Sequence, residues 1–392
     1  MNPLFKSIAK ALFFVAMFAL LGVLATKAIR SQGQKVNIPK DESNNTMRWE
    51  HSDNGERFRM EIRGKAEFTD DYTDIRSVSQ NGYVRIEEDR NGQSRRYEIR
   101  PDANGQLQRY YSVNGENRPL DDAGRAWAGK IILDAVRQSG IDADKRVQSI
   151  LRKAGVQGVL NEIASISGDY AQRHYFEALI KYGNLNQTDL QTVLRSAAQQ
   201  ISSDYEQAEL LIGVADQMIG KDSAAGAFFE ATATIKSDYE RKRVLTTILK
   251  KGTPTREVLV QVAKSAAAIS SDYEKATVLK EVSGIYLDDP TLRTIYFQTV
   301  DAIRSDYEHR GVLSALLKKT KLSEDVLAGM LESAMRISSD YEKASFLLEA
   351  SNAYTGDTRL RNLFLKAVET IGSDYERGRV LSALLKNKQI GE

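Results

Sequence analysis

The side chains that most often carry chemistry are sparse in this chain and poorly arranged for it. Its 392 residues contain three histidines, His51, His174 and His309, far apart in sequence. No His-Glu-x-x-His pair, nucleophile elbow, phosphate loop or dinucleotide fingerprint accompanies them. His309 follows a Ser-Asp-Tyr-Glu string and His174 a related one, so both are expected at the exposed start of a helix, where a lone histidine is seldom catalytic. Cysteine is absent, which excludes disulfides, thiolate catalysis and cysteine metal sites. The acid pairs Asp70-Asp71 and Asp288-Asp289 fall where turns or caps are expected. Asp102-x-Asn104-Gly105 has a faint likeness to a calcium loop but lacks the other ligands. No catalytic residue, cofactor or metal ligand is assigned, and the expectation is a protein that is not an enzyme.

What does recur is Ser-Asp-Tyr-Glu, beginning at Ser203, Ser237, Ser271, Ser305, Ser339 and Ser373, always 34 residues apart. An altered copy, Gly168-Asp169-Tyr170-Ala171, precedes them. The motif has a capping chemistry. A serine at the N-cap (Ser203, Ser237, Ser271, Ser305, Ser339, Ser373) and a glutamate three residues on (Glu206, Glu240, Glu274, Glu308, Glu342, Glu376) form a capping box, each satisfying an orphan backbone N–H. The aspartate complements the helix dipole. The tyrosine is expected to pack on the neighbouring unit with its hydroxyl near water. The alternative is a ladder of Tyr205, Tyr239, Tyr273, Tyr307, Tyr341 and Tyr375 that grips a partner.

Around the motif, each 34-residue unit reads as two helices. In the unit from Ser237, Val244, Leu245, Ile248 and Leu249 form one apolar stripe, and Val258, Leu259, Val262, Ala263, Ala266 and Ile269 form another. Pro254 and Pro290, after Thr253 and Asp289, are expected in the first turns of second helices. A 68-residue period lies over the first. Units from Ser237, Ser305 and Ser373 carry a basic residue or glycine before Val-Leu and lysines near the helix end, Lys250-Lys251, Lys318-Lys319 and Lys386. Their alternates have alanine three after the tyrosine and end in Met218, Tyr286 or Tyr354. The lysines either form an anion-binding stripe or, more simply, complement helix C-termini. Residues 144–151 echo 241–249 as a shortened first repeat. Such hairpins bury their apolar faces only by stacking, so residues 141–392 are expected to form an α-solenoid, closed by the Leu384-Leu385 face of its last helix.

Before the repeats the hydrophobic period is two. Arg57–Ile62, Tyr83–Ile86 and Arg96–Ile99 alternate, and Asn-Gly occurs at 54–55, 81–82, 91–92, 104–105 and 114–115, the preferred composition for type I′ hairpin turns. Residues 46–120 thus predict an antiparallel β-meander of about six strands. Residues 121–140 predict a covering helix, capped by Asp121 or Asp122, with Trp127, Ile131, Ile132 and Val136 on its apolar face. The sheet is read as a spacer or platform, a ligand on its open face being the alternative.

At the N-terminus, Lys6 and Lys10 precede a 15-residue apolar run, Ala11–Ala25, followed by Lys27 and Arg30. Residues 1–30 are either a signal peptide, which the length of the run and Val23-Leu24-Ala25 suit, or an uncleaved anchor, which the flanking lysines favour. Residues 31–45 are a polar linker. Six Lys/Arg precede the first acid, Asp41; taking them from 55 leaves 49 against 53 Asp+Glu, a net charge of −4 for the rest. No large basic field exists, and nucleic acid is not expected as a partner.

The whole is an α+β multidomain chain: an N-terminal membrane helix, a small antiparallel β domain and an α-helical repeat array. Ser-Asp-Tyr-Glu repeats after a Gly/Asn-punctuated β segment resemble arrays in bacterial envelope proteins, including tails of some beta-lactam-sensor-type membrane metallopeptidases. The resemblance covers about residues 63–387. It carries no catalytic role, because the zinc motif and multiple membrane helices of those peptidases are missing here. It implies an extracytoplasmic docking or sensing module. The expectation is a scaffold anchored in the inner membrane, its bulk periplasmic, binding a protein or peptide along the repeats. The alternatives are secretion after cleavage, a ligand-sensing regulatory subunit of an envelope system and, last, a cryptic hydrolase.

Overall fold

The computed structural model describes residues 46–53, 55–218, 222–251, 254–282, 287–319, 322–351 and 357–386. The expected anchor (1–30) and linker (31–45), Asn54, Thr253, Tyr286 and Tyr354 lie outside these residues, as does the side chain of Met218. Among the described residues, no helix is long and apolar enough to cross a membrane. The chain divides into two compact units, residues 1–183 and 184–392.

The first unit opens with eight strands: β1 (Thr46–Asp53), β2 (Glu56–Arg63), β3 (Ala66–Phe68), β4 (Ile75–Val78), β5 (Tyr83–Arg90), β6 (Gln93–Pro101), β7 (Leu107–Val113) and β8 (Glu116–Arg118). Six form one antiparallel sheet in the order β1-β2-β5-β6-β7-β8, while β3 and β4 pair separately. Asn91-Gly92 and Asn114-Gly115 have positive φ at both positions and join β5–β6 and β7–β8, as type I′ turns require. Asn81-Gly82 is not a hairpin turn. It follows β4, and β5 pairs back to β2 across the inserted β3–β4 ribbon. Cross-strand registry sets Met60 opposite Ile86 and Ile86 opposite Tyr97 on one face, with Arg85 opposite Glu98 on the other.

The apolar face is covered by α1 (Asp122–Ser139), through Ala128, Ile131, Ile132, Ala135 and Val136. Asp121 caps this helix, accepting from the Gly124 N–H at 2.7 Å, and Gly140 ends it at φ 72°. Two helices complete the unit, α2 (Ala143–Ala164), broken by the non-helical Gly155, and α3 (Asp169–Tyr182). Glu162 clamps α1 to α2 by accepting from Arg137 at 2.7 Å and Arg146 at 2.6 Å.

The second unit contains α4 (Gln187–Gln200), α5 (Asp204–Met218), α6 (Asp222–Thr234), α7 (Asp238–Lys250), α8 (Arg256–Ala267), α9 (Asp272–Val282), α10 (Pro290–Asp301), α11 (Asp306–Leu317), α12 (Glu324–Ala334), α13 (Asp340–Ala350), α14 (Thr358–Glu369) and α15 (Asp374–Lys386). First helices (α5, α7, α9, α11, α13, α15) pack on first helices of adjacent units, and second helices (α4, α6, α8, α10, α12, α14) on second helices. This two-layer stack is what 34-residue hairpins need to bury both apolar stripes. The predicted stripe residues are fully buried: Val244, Leu245 and Ile248 in α7, and Val258, Leu259, Val262, Ala263 and Ala266 in α8. Pro290 occupies the first turn of α10, whereas Pro254 precedes the Thr255 cap, so α8 begins two residues later than its proline suggests. At the far end Leu384 is buried but Leu385 is 70% exposed, so only half of the predicted closing face is covered.

Candidate functional site

Three of the four residues of the repeated motif have a structural task. The serine is the N-cap in all six units, its Oγ accepting from the glutamate N–H at 3.3–3.4 Å. These are long hydrogen bonds. The reciprocal half of the expected capping box is replaced. The backbone N–H of Ser237, Ser271, Ser305, Ser339 and Ser373 donates at 2.8–2.9 Å to the motif aspartate of the preceding unit, Asp204, Asp238, Asp272, Asp306 and Asp340. The same carboxylates accept from the N–H one residue earlier, at Lys236, Ser270, Arg304, Ser338 and Gly372. The aspartate thus staples one repeat to the next. Backbone donors hold Asp340 below the usual carboxylate range.

The glutamates turn to cations instead of to their serines. Glu240 and Glu376 pair with Arg243 and Arg379 at 2.6 and 2.5 Å within their own helices. Glu274, Glu308 and Glu342 pair with Lys242, Lys280 and Arg310 from the unit before. Glu206 lies half-buried in the first turn of α5. The residue after the motif has a role that the sequence did not suggest. Gln207, Arg241, Lys275 and Lys343 reach carbonyls at or near the end of the same unit's second helix, Ala231, Ala268, Ala302 and Thr370, while Arg377 reaches back to Ile371 of the unit before. A cation there satisfies orphan carbonyls at the negative end of the helix dipole.

The tyrosines have no such structural task. Tyr205, Tyr239, Tyr273, Tyr307, Tyr341 and Tyr375 are 52–73% exposed, so they do not pack into the neighbouring unit. They stand at equivalent positions in the first turns of stacked helices and form a row across the repeats. Cations border it: Lys242 lies 4.3 Å from the Tyr239 ring centroid, Arg243 5.8 Å from Tyr205 and Arg310 5.6 Å from Tyr307. The 68-residue alternation appears here, because Lys242 and Arg310 occupy the position at which Ala208, Ala276 and Ala344 are buried in the other units. Lys250 and Lys251 are bound to Glu281 at 3.2 Å and Asp216 at 2.7 Å, so these two lysines join repeats and do not line an anion stripe.

His309 overturns the expectation of an exposed residue: it is 2% exposed, and its Nε2 lies 2.8 Å from Ser333 Oγ. Ser333 gives its one proton to Asp301 at 2.5 Å, so it must accept from His309. That order is the reverse of a nucleophile donating to a basic imidazole. Burial holds the His309 pKa below 6.5, against the opposing pull of Asp301 and Asp306. His174 is half-buried, with Glu177 3.2 Å from its ring nitrogen, and His51 stacks on Trp49. The acid pairs serve as turns and caps. Asp71 accepts from Thr69 at 2.6 Å and Thr73, which hold its pKa at about 2, and Asp289 caps α10 and pairs with Arg256. Asp102 folds its own turn by accepting from the N–H groups of Asn104 and Gln106. No cluster of three or more potential metal ligands occurs among the described residues.

Two cavities lie among the described residues. One, of about 20 Å³, lies among Leu317, Leu331, Phe346 and Phe364 in the second unit and has room for about one water. The other, open and about 580 Å³, lies in the first unit between the β5–β6 hairpin and α1, lined by Glu88, Arg90, Arg95, Trp127, Lys130 and Asp134. Trp127 Nε1 donates to Glu88 at 2.8 Å, and burial raises the pKa of Asp134.

The chain matches no known protein family, no curated protein and no solved structure.

Proposed function

We propose that the protein is a non-catalytic scaffold whose tyrosine row holds a protein or peptide partner laid across the repeats. The observation that carries this is economy. Serine, aspartate and glutamate recur because the fold needs them for caps, staples and ion pairs, yet an exposed aromatic recurs six times without a fold to serve. Exposed tyrosines are effective binding anchors, with large rigid area and a polar tip. The test is a set of Tyr→Ala substitutions at 273, 307 and 341. They should leave the melting temperature unchanged and abolish co-purification of the partner under cross-linking; loss of fold, or unaltered capture, would contradict the proposal.

The apolar run Ala11–Ala25 supports anchorage in the inner membrane with the repeats outside the cytoplasm. Digestion of the repeats in spheroplasts, with the uncleaved size persisting, is the expected result, while protection until lysis would place them inside. A second reading, a sensing subunit, is favoured by the polar cavity beside Trp127, whose volume suits a small ligand. A thermal-shift screen of small polar metabolites should then find a stabiliser that Trp127→Ala no longer responds to, and a screen without one would count against sensing.

A further inference from the structure

Building on the scaffold reading, we infer that the partner segment along the tyrosine row is a proline-rich stretch in the polyproline II conformation. Two observations point to that class: the period of the row and the hydrogen-bonding groups around it.

The six tyrosines occupy one position in helices that pack side by side, and packed helix axes lie about 8–10 Å apart. A polyproline II helix rises about 3.1 Å per residue with three residues per turn, so one edge recurs about every 9.3 Å. One residue in three would meet one tyrosine per repeat, and the five intervals of the row would span about 15 residues at that rise. A β-strand repeats one face about every 6.7 Å and falls out of step after one unit. An α-helix comes near the spacing every seventh residue, about 10.5 Å, but bound helices seat an apolar face in an apolar groove. This row is single file and bordered by charged pairs: Lys242–Glu274, Arg243–Glu209 and Arg310–Glu342.

The second observation is polarity. Six exposed phenolic hydroxyls present hydrogen-bond donors along the row, while Lys242, Arg243 and Arg310 are engaged by Glu274, Glu209 and Glu342, and the motif aspartates at the repeat joints by backbone N–H groups. A proline-rich chain is the complement, with carbonyls unpaired within its own helix and few N–H groups to satisfy. Ordered aromatic grooves bind such segments at low entropic cost because the ligand is preformed.

Fluorescence anisotropy of the full chain with a labelled (Pro-Pro-Ala)5 peptide tests this. Saturable binding is expected, strengthening from six to fifteen residues and absent for (Gly-Ser-Ala)5. Tyr273→Ala with Tyr307→Ala should weaken binding at least about tenfold, and the two Phe substitutions should weaken it less, retaining the ring but not the donor. Absence of (Pro-Pro-Ala)5 binding, or binding indifferent to the Ala pair, overturns the inference. A tyrosine-dependent partner recovered by cross-linking that lacks a proline-rich segment, or tyrosine-dependent binding of a chito-oligosaccharide in place of the peptide, also overturns it while leaving the scaffold reading intact. If neither peptide nor cross-linked partner depends on the tyrosines, both fail.

Discussion

Removing one staple should uncouple two repeats, and the array contains its own control. Asp238 accepts from Ser270 N–H at 3.1 Å and Ser271 N–H at 2.8 Å, joining the unit of α7 and α8 to that of α9. Asp374 sits in the same place in α15, but its side chain is 97% exposed and, among the described residues, pairs with Arg377, 3.5 Å away in its own helix. Hydrogen bonds to a charged group contribute about 1.5–3 kcal/mol each when buried, and half-exposure at Asp238 cuts the pair to about 2 kcal/mol. Asp238→Ala should therefore cost about 2 kcal/mol plus a dipole contribution of about 0.5 kcal/mol, and Asp374→Ala only the latter. Ser271→Ala, which removes a 3.4 Å cap, should cost about 1 kcal/mol. Equilibrium urea unfolding followed by helical circular dichroism measures all three, and amide exchange at Ser270 and Ser271 locates the effect. Equal costs for Asp238→Ala and Asp374→Ala, or exchange at Ser271 unaltered by Asp238→Ala, would show that Asp238 does not staple the repeats.

Three other outcomes follow from particular contacts. A Cβ at Gly329 would lie 2.5 Å from the Phe297 ring, so Gly329→Ala should cost about 1–3 kcal/mol in thermal or urea unfolding, despite the better helix propensity of alanine. Buried His309 resists protonation more than the unfolded chain does, so the unfolded state binds the extra proton. Stability should then fall as pH drops below about 6.5, by at most about 1.4 kcal/mol per pH unit, and His309→Gln should flatten that limb of the pH–stability curve. For Glu162, burial raises the pKa but the Arg137 and Arg146 hydrogen bonds outweigh it, so its stabilisation is present at neutral pH and lost as pH falls through the lowered folded value. Glu162→Gln should cost about 3 kcal/mol at pH 7 by stripping the charged partner from half-buried Arg137 and buried Arg146, as unfolding measurements would show.

Much of this fold could be read from the sequence because its rules are local. The 34-residue period, the two apolar stripes per unit, the serine caps and the Asn-Gly turns each depend on residues within one or two turns of chain. What escaped depends on contacts one repeat away or on backbone groups that leave no mark in the sequence. The motif aspartate had a sufficient local explanation in the helix dipole, while its real partners are N–H groups 32 and 33 residues on. Glutamate looked like half a capping box because the competing acceptor for the serine N–H came from another unit. Lys275, Lys343 and Arg377 carry no mark in the sequence of the carbonyls at a helix end that they reach. His309 shares that position, which is why it is buried. The β3–β4 ribbon was hidden by an Asn-Gly pair that resembles a hairpin turn. As for the site, both alternatives for the tyrosines were visible, and only their exposure separates packing from a ladder.

Photo-cross-linking from the row in living cells tests the central claim most directly. A photoreactive phenylalanine replaces Tyr273 or Tyr307, and the control replaces Lys264, exposed on the second helix α8. The account predicts a discrete adduct from both tyrosine positions, suppressed when Tyr239 and Tyr341 are also changed to Ala, and none from Lys264. No adduct from the row, or the same adducts from Lys264, would contradict it.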